Sequence, residues 1–139
     1  MQQRIYVPVT RRTLMSLRAG AGLTGTPLLA FAVTEGLRRD NPGADEEQLE
    51  YLAFAQAVAA APGEQRVVAA ADVDADIVAI VSEADVPARS SAVRVADSVP
   101  LRLLASLHVE ESPRAQGSEP GEFLWYDATE IDTVVDLLA

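Results

Sequence analysis

A chain of 139 residues has room for one compact domain around a single core. It contains neither cysteine nor lysine, which excludes disulfides, thiolate metal sites, a cysteine nucleophile and Schiff-base chemistry together. The net charge of −10 is polarised, with six arginines against two acids over residues 1–40 and five against nineteen over the rest, a field that repels nucleic-acid phosphates and favours basic partners.

The first residues lack the charged and long apolar regions of a signal peptide, and no apolar run reaches the roughly 18 residues of a membrane span. The expected setting is therefore the cytoplasm, with no nucleic acid and no membrane as partner. Arg4 to Val9 alternates Ile5, Val7 and Val9 against Arg4, Tyr6 and Pro8, the period of a half-buried strand. Thr10 is placed to cap a helix over 11–19, with Leu14 and Leu17 inward and Gly20 and Gly22 at its end. Leu28 to Thr34 reads as a buried strand, and Thr34 as the cap of a single turn over 35–39. After the Asp40, Asn41, Pro42, Gly43 turn comes a helix over 45–61, with Asp45, Glu46 and Glu47 in its positive first turn and Pro62 and Gly63 beyond its end. One apolar stripe of this helix is Leu49, Leu52 and Ala53; a second is Tyr51, Phe54, Ala55 and Val58. Such a helix has more than one face to cover.

Arg66 to Val73 reads as a strand, and 74–87 fits helix and extended structure equally. Ala92 to Ala96 reads as a strand, 100–104 as a short helix and 105–110 as a strand carrying His108, which together suggest a hairpin-like region. The stretch 111–122 has loop composition. Phe123 to Tyr126 is a short aromatic strand. Asp127 and Glu130 then make a capping-box pair before Ile131, Val134, Val135 and Leu138 in a last helix over 128–138.

Three patterns point to chemistry. Gly20, Gly22 and Gly25 spell a dinucleotide motif, but they leave a helix and enter a strand, the reverse of the order that aims a helix terminus at a pyrophosphate. Asp72, Asp74, Asp76 and Glu83 have the spacing of a calcium loop, yet Ile77 occupies the position that needs a glycine. No metal and no cofactor are therefore expected. His108 is the sole histidine, and no nucleophile-elbow pattern accompanies it.

Ile5 to Pro8, Leu29 to Thr34, Glu50 and Tyr51, Val67 to Val73, Val93 to Val95, His108 and Val109, and Leu124 to Tyr126 followed by Glu130 and Ile131 together resemble a family of short, acidic, uncharacterised actinobacterial proteins. The resemblance runs over almost the whole chain. It implies a cytosolic protein of actinobacterial origin and brings no catalytic residues with it.

The reading that follows is a single α+β domain over 1–139, a mixed sheet of about five strands with the helices mainly on one face. By the right-handed crossover rule, the first two strands would lie parallel if they are neighbours. The expected function is a small cytosolic binding or regulatory module acting through protein contacts. Its surface would include Tyr51, Phe54, Val58, Arg11, Arg18 and Trp125, with a homodimer through the second stripe of helix 45–61 as one form of partner. The alternative is a carboxylate-based small-molecule enzyme or ligand-binding protein using Asp72, Asp74, His108 and Asp127.

Overall fold

The computed structural model describes residues 1–23, 28–63, 65–80, 91–96, 98–111 and 123–138. In chain order its elements are β1 (Gln2–Val9), α1 (Arg11–Arg18), β2 (Leu28–Phe31), α2 (Glu35–Asp40), α3 (Glu46–Ala60), β3 (Val67–Asp74), β4 (Val78–Ile80), β5 (Ala92–Val95), β6 (Leu104–Glu110), β7 (Phe123–Asp127) and α4 (Ile131–Leu137). Single 3-10 turns occupy Ala75–Ile77, Leu101–Leu103 and Ala128–Glu130.

The helix starts follow from their caps. Oγ1 of Thr10 accepts from the Thr13 amide, Oγ1 of Thr34 from the Leu37 amide, and the Asp45 carboxylate from the Gln48 amide while Gln48 Oε1 accepts from Asp45 N. Each contact satisfies a backbone donor that the first turn leaves unpaired. Asp45 thus stands as the cap of α3 and not inside its first turn. Asp127 and Glu130 pair reciprocally as their spacing predicts, around the 3-10 turn that leads into α4. In the ambiguous stretch 74–87, Asp74 caps a 3-10 turn and the chain then extends into β4. Residues 81–87 of that stretch lie outside the described residues, as do 112–122 of the expected loop.

The strands form one sheet in the order β4-β5-β2-β1-β3-β6-β7, and every neighbouring pair is antiparallel. This corrects the expectation of about five strands in a mixed sheet. β1 and β2 are neighbours but run in opposite directions, with Tyr6 opposite Phe31. That antiparallel register sets the start of β2 beside the end of β1, so β2 runs back along β1 and the right-handed crossover rule, which governs parallel neighbours, does not apply.

The hairpin-like reading of 92–110 is also corrected. β5 lies between β2 and β4, whereas β6 lies between β3 and β7. A bridge between Leu23 and Val99 draws the chain away from β5. Gly22, at φ 75°, permits it, because a Cβ there would stand 3.1 Å from the Val99 carbonyl oxygen.

Two cores flank the sheet. Ile5, Val7 and Val9 are buried with Leu14 and Leu17 of α1 and Ile131, Val134 and Val135 of α4. The alternate residue Tyr6 is buried with Phe31, Val68 and Ala70, with Leu37 of α2, and with Leu49, Ala53, Ala57 and Val58 of α3. Successive strand residues point to opposite faces, so the helices cover both faces, α1 and α4 on one and α2 and α3 on the other. The expectation of helices mainly on one face is therefore replaced. β3, closed in on both sides, reads Val-Val-Ala-Ala-Ala without alternation because neither of its faces meets water.

Candidate functional site

Toward the β6–β7 end of the α3 face several aromatic residues gather, and among the described residues some of them are exposed. Phe54 is their centre. Its ring lies 5.9 Å from that of Tyr6 and 5.5 Å from that of Phe123, both edge-on, 5.1 Å from the His108 imidazole and 6.5 Å from the Tyr51 ring. Edge-to-face and tilted contacts at these separations match the positive ring edge to the negative face. Trp125 joins the group through the sheet, directly opposite His108 in the β6–β7 register. The outer members stand in water: Tyr51 is 67% exposed and Trp125 61%.

Polar groups line the same face. Arg4 holds Asp72 across the β1–β3 pair with two bonds, Nε to Oδ1 at 2.7 Å and a terminal nitrogen to Oδ2 at 3.0 Å. The Ser106 hydroxyl and His108 Nε2 are 2.9 Å apart, two residues apart on one strand face. Burial, and secondarily the positive charge of Arg4, holds the His108 imidazole below its ordinary pKa. In the Ser106 contact the hydroxyl donates to Nε2 or Nε2–H donates to the hydroxyl oxygen, according to the tautomer of the ring. Burial, and then the charge of Glu50, raises the pKa of the Tyr6 phenol.

The His108 shift has a measurable consequence. A base whose native pKa is depressed contributes stability that is present above its unfolded value, near 6.5, and is lost as pH falls toward the native value. The thermal midpoint is expected to decline across that window. His108→Gln, which keeps a partner for Ser106 and removes the titration, is expected to flatten the decline; parallel curves for the two proteins would refute the coupling.

The six surface residues expected from sequence do not form one site. Tyr51, Phe54 and Trp125 come together on the α3 face. Val58 is 2% exposed and belongs to the core of that face, so the second stripe of α3 is largely covered within the chain. α4 does not provide that cover, since it packs with α1 on the opposite face. Arg11 and Arg18 lie on that opposite face too, where Nε of Arg11 donates to the Val135 carbonyl and Arg18 pairs with Asp132 at 3.0 Å. They tie α1 to α4.

The carboxylates proposed for chemistry are already engaged. Asp72 is held by Arg4, Asp74 accepts from the Asp76 amide, and Asp127 accepts from the amide and hydroxyl of Thr129, which holds its pKa below the usual carboxylate range. Among the described residues no three His, Asp or Glu side chains are grouped to hold a metal ion. Glu83 of the calcium-like spacing and Gly25 of the glycine motif lie outside the described residues. Gly20 and Gly22, both at positive φ, end α1. Phe123, Ser106 and the Arg4–Asp72 pair were not singled out from sequence. The alternation around His108 does place Ser106 on its face, but which strand lies alongside is a tertiary matter.

A family model described as a family of unknown function (DUF6912) matches residues 3–119. No curated protein and no solved structure matches the chain.

Proposed function

We propose that this chain, which belongs to the DUF6912 family of unknown function, is a binding module that acts through protein contacts, with the aromatic patch around Phe54 as its contact surface. The observation that carries the reading is the exposure of Tyr51 and Trp125 on either side of that cluster. Tyrosine and tryptophan bring large rigid area with one polar tip, and such residues are enriched where protein interfaces lose water. A chain with only seven aromatic residues leaves two of the largest in solvent on one face. A regulatory role in an actinobacterial cytoplasm belongs to the same reading, supported by the residue resemblance and by the absence, among the described residues, of a helix long and apolar enough to cross a membrane.

The rival, a carboxylate-based enzyme or ligand-binding protein, draws its support from Ser106 and His108, with Asp72 and Asp127 on the same face. It is the weaker reading because those carboxylates are already bonded and Ser106 is 4% exposed.

Photo-crosslinking in cells tests the proposal. A benzophenone amino acid replacing Tyr51 is expected to capture a protein that the same group replacing Arg12, exposed on α1, does not. Trp125→Ser is expected to abolish the capture without moving the thermal midpoint. Equal crosslinking from both positions, or capture indifferent to Trp125→Ser, would remove the patch as the contact surface.

A further inference from the structure

The patch does not end at the sheet face; it continues over the rim of β7. Among the described residues β7 is the terminal strand and pairs only with β6. A terminal strand presents alternate N–H and C=O groups outward, and proteins commonly blunt such an edge with lysine, proline, a bulge or a covering element. β7 reads Phe-Leu-Trp-Tyr-Asp, in unbroken register with β6, and has no lysine, proline or bulge. Large apolar side chains are exposed on both of its faces, Trp125 toward α3 and Leu124, 40% exposed, toward the other side.

Charge identifies what fits there. From Phe123 to Leu138 the chain carries Asp127, Glu130, Asp132 and Asp136 and no basic residue; Asp132 is paired with Arg18 and sits with Asp136 on α4, on the other face, which leaves exposed Asp127 and Glu130 at the end of β7. On the α3 side Glu47 precedes Tyr51, and Glu50 precedes Phe54, by one helical turn, so both acids share the helix face of the aromatic rings. Among the described residues the arginines near the rings are already paired, Arg4 with Asp72 and Arg66 with Glu110. An acidic rim around exposed aromatic rings suits cations twice, through Coulomb attraction and through the negative ring faces of Trp125 and Tyr51.

We infer that β7 accepts an extended arginine- or lysine-bearing segment of another protein as an added antiparallel strand, with its cationic side chains over Trp125 and Tyr51. The inference rests on the reading of the aromatic patch as a protein contact. Main-chain bonds to the edge that β7 presents among the described residues supply affinity in this mode, and the alternate side chains of the guest supply specificity. A second copy of this chain is the less suitable occupant, because it would bring its own Asp127, Glu130, Glu47 and Glu50 to the same rim.

Calorimetry with short acetylated peptides tests the inference. A peptide alternating valine with arginine is expected to bind saturably, its glutamate counterpart to show no binding, and high salt to weaken the arginine peptide. Methylating alternate backbone nitrogens on the pairing edge is expected to weaken it at least about tenfold, and Tyr51→Ser to weaken it without altering the fold. Failure of both peptides to bind, equal binding of the two, or indifference to methylation would overturn the inference. So would light scattering that finds a dimer of the chain alone that Trp125→Ser dissociates. If position 51 still crosslinks a protein in a Trp125-dependent way while the arginine peptide fails, the contact surface stands and strand addition falls. If crosslinking itself fails, both fall.

Discussion

Replacing Glu110 by alanine is expected to destabilise the protein by about 3–5 kcal/mol, the usual cost of leaving one charge of a buried pair without its partner. Glu110 is fully buried and the Arg66 side chain is 5% exposed. The carboxylate accepts from the Arg66 amide at 3.0 Å, from its Nε at 3.4 Å and from a terminal nitrogen at 3.1 Å, and another Arg66 nitrogen donates to the Val58 carbonyl at 3.3 Å. The Glu110 amide donates in turn to the Arg66 carbonyl, and Gln65 Nε2 to the Glu110 carbonyl. These bonds join the last turn of α3, the entry to β3 and the end of β6 in one place. Alanine leaves the guanidinium buried and short of most of its acceptors.

The paired replacement Arg66→Met with Glu110→Leu removes both charges and is expected to cost far less than Glu110→Ala alone, since apolar packing of similar volume often matches or exceeds a buried ion pair. Urea unfolding of the wild type, both single variants and the double variant checks this. A loss below about 1 kcal/mol for Glu110→Ala would be the size of an ordinary hydrogen bond and would contradict a tightly buried pair. The pair also bears on the site, because Glu110 stands opposite Phe123 in the β6–β7 register.

Phe31→Ala is expected to cost about 3–5 kcal/mol, the range for emptying a buried aromatic position. Phe31 is fully buried in β2, in the core it shares with Tyr6, Leu37, Leu49 and Ala53. That core is rich in alanine, with Ala53, Ala57, Ala70 and Ala92 all buried, so few long side chains can swing into the vacated space. The cavity term then adds to the lost transfer energy. Trp125→Ala deletes a larger ring at 61% exposure and is expected to change stability by no more than about 0.5 kcal/mol. Thermal and urea unfolding of the two variants side by side measure the contrast. A stability loss at Trp125 equal to that at Phe31 would mean that the tryptophan is a core residue and not a surface for partners.

Local physics was legible in the chain alone. The positions of Thr10, Thr34 and Asp127 mark helix starts because a short polar side chain bonds its own neighbours three residues on, or two in the case of Asp127, whatever lies elsewhere in the fold; Asp45 does the same one position earlier than its charge pattern suggests. The alternation of Ile5, Val7 and Val9 shows one buried face for the same reason. It does not show that the other face is buried as well, which depends on α3 arriving from forty residues away. Tyr51, Phe54 and Trp125 could be named as surface aromatics, but nothing in the spacing of α3 and β7 reveals that Phe54, His108 and Phe123 meet, or that Val58 turns inward.

Arg11 and Arg18 show the limit most directly. Their seven-residue spacing correctly puts them on α1, while the partners that occupy them, the Val135 carbonyl and Asp132, belong to α4. Sequence by itself determined the caps at Thr10, Thr34 and Asp127, most of the helix and strand segments outside 74–87, the acidic character of the last sixteen described residues and the absence of thiol and lysine chemistry, because these depend on residue type and near neighbours. Only the tertiary structure decided the strand order, the antiparallel course of β2, the buried Arg66–Glu110 pair and the aromatic patch. Those arise from pairings between distant segments, which are selected by the total area they bury and the partners they satisfy, and no local pattern encodes that sum.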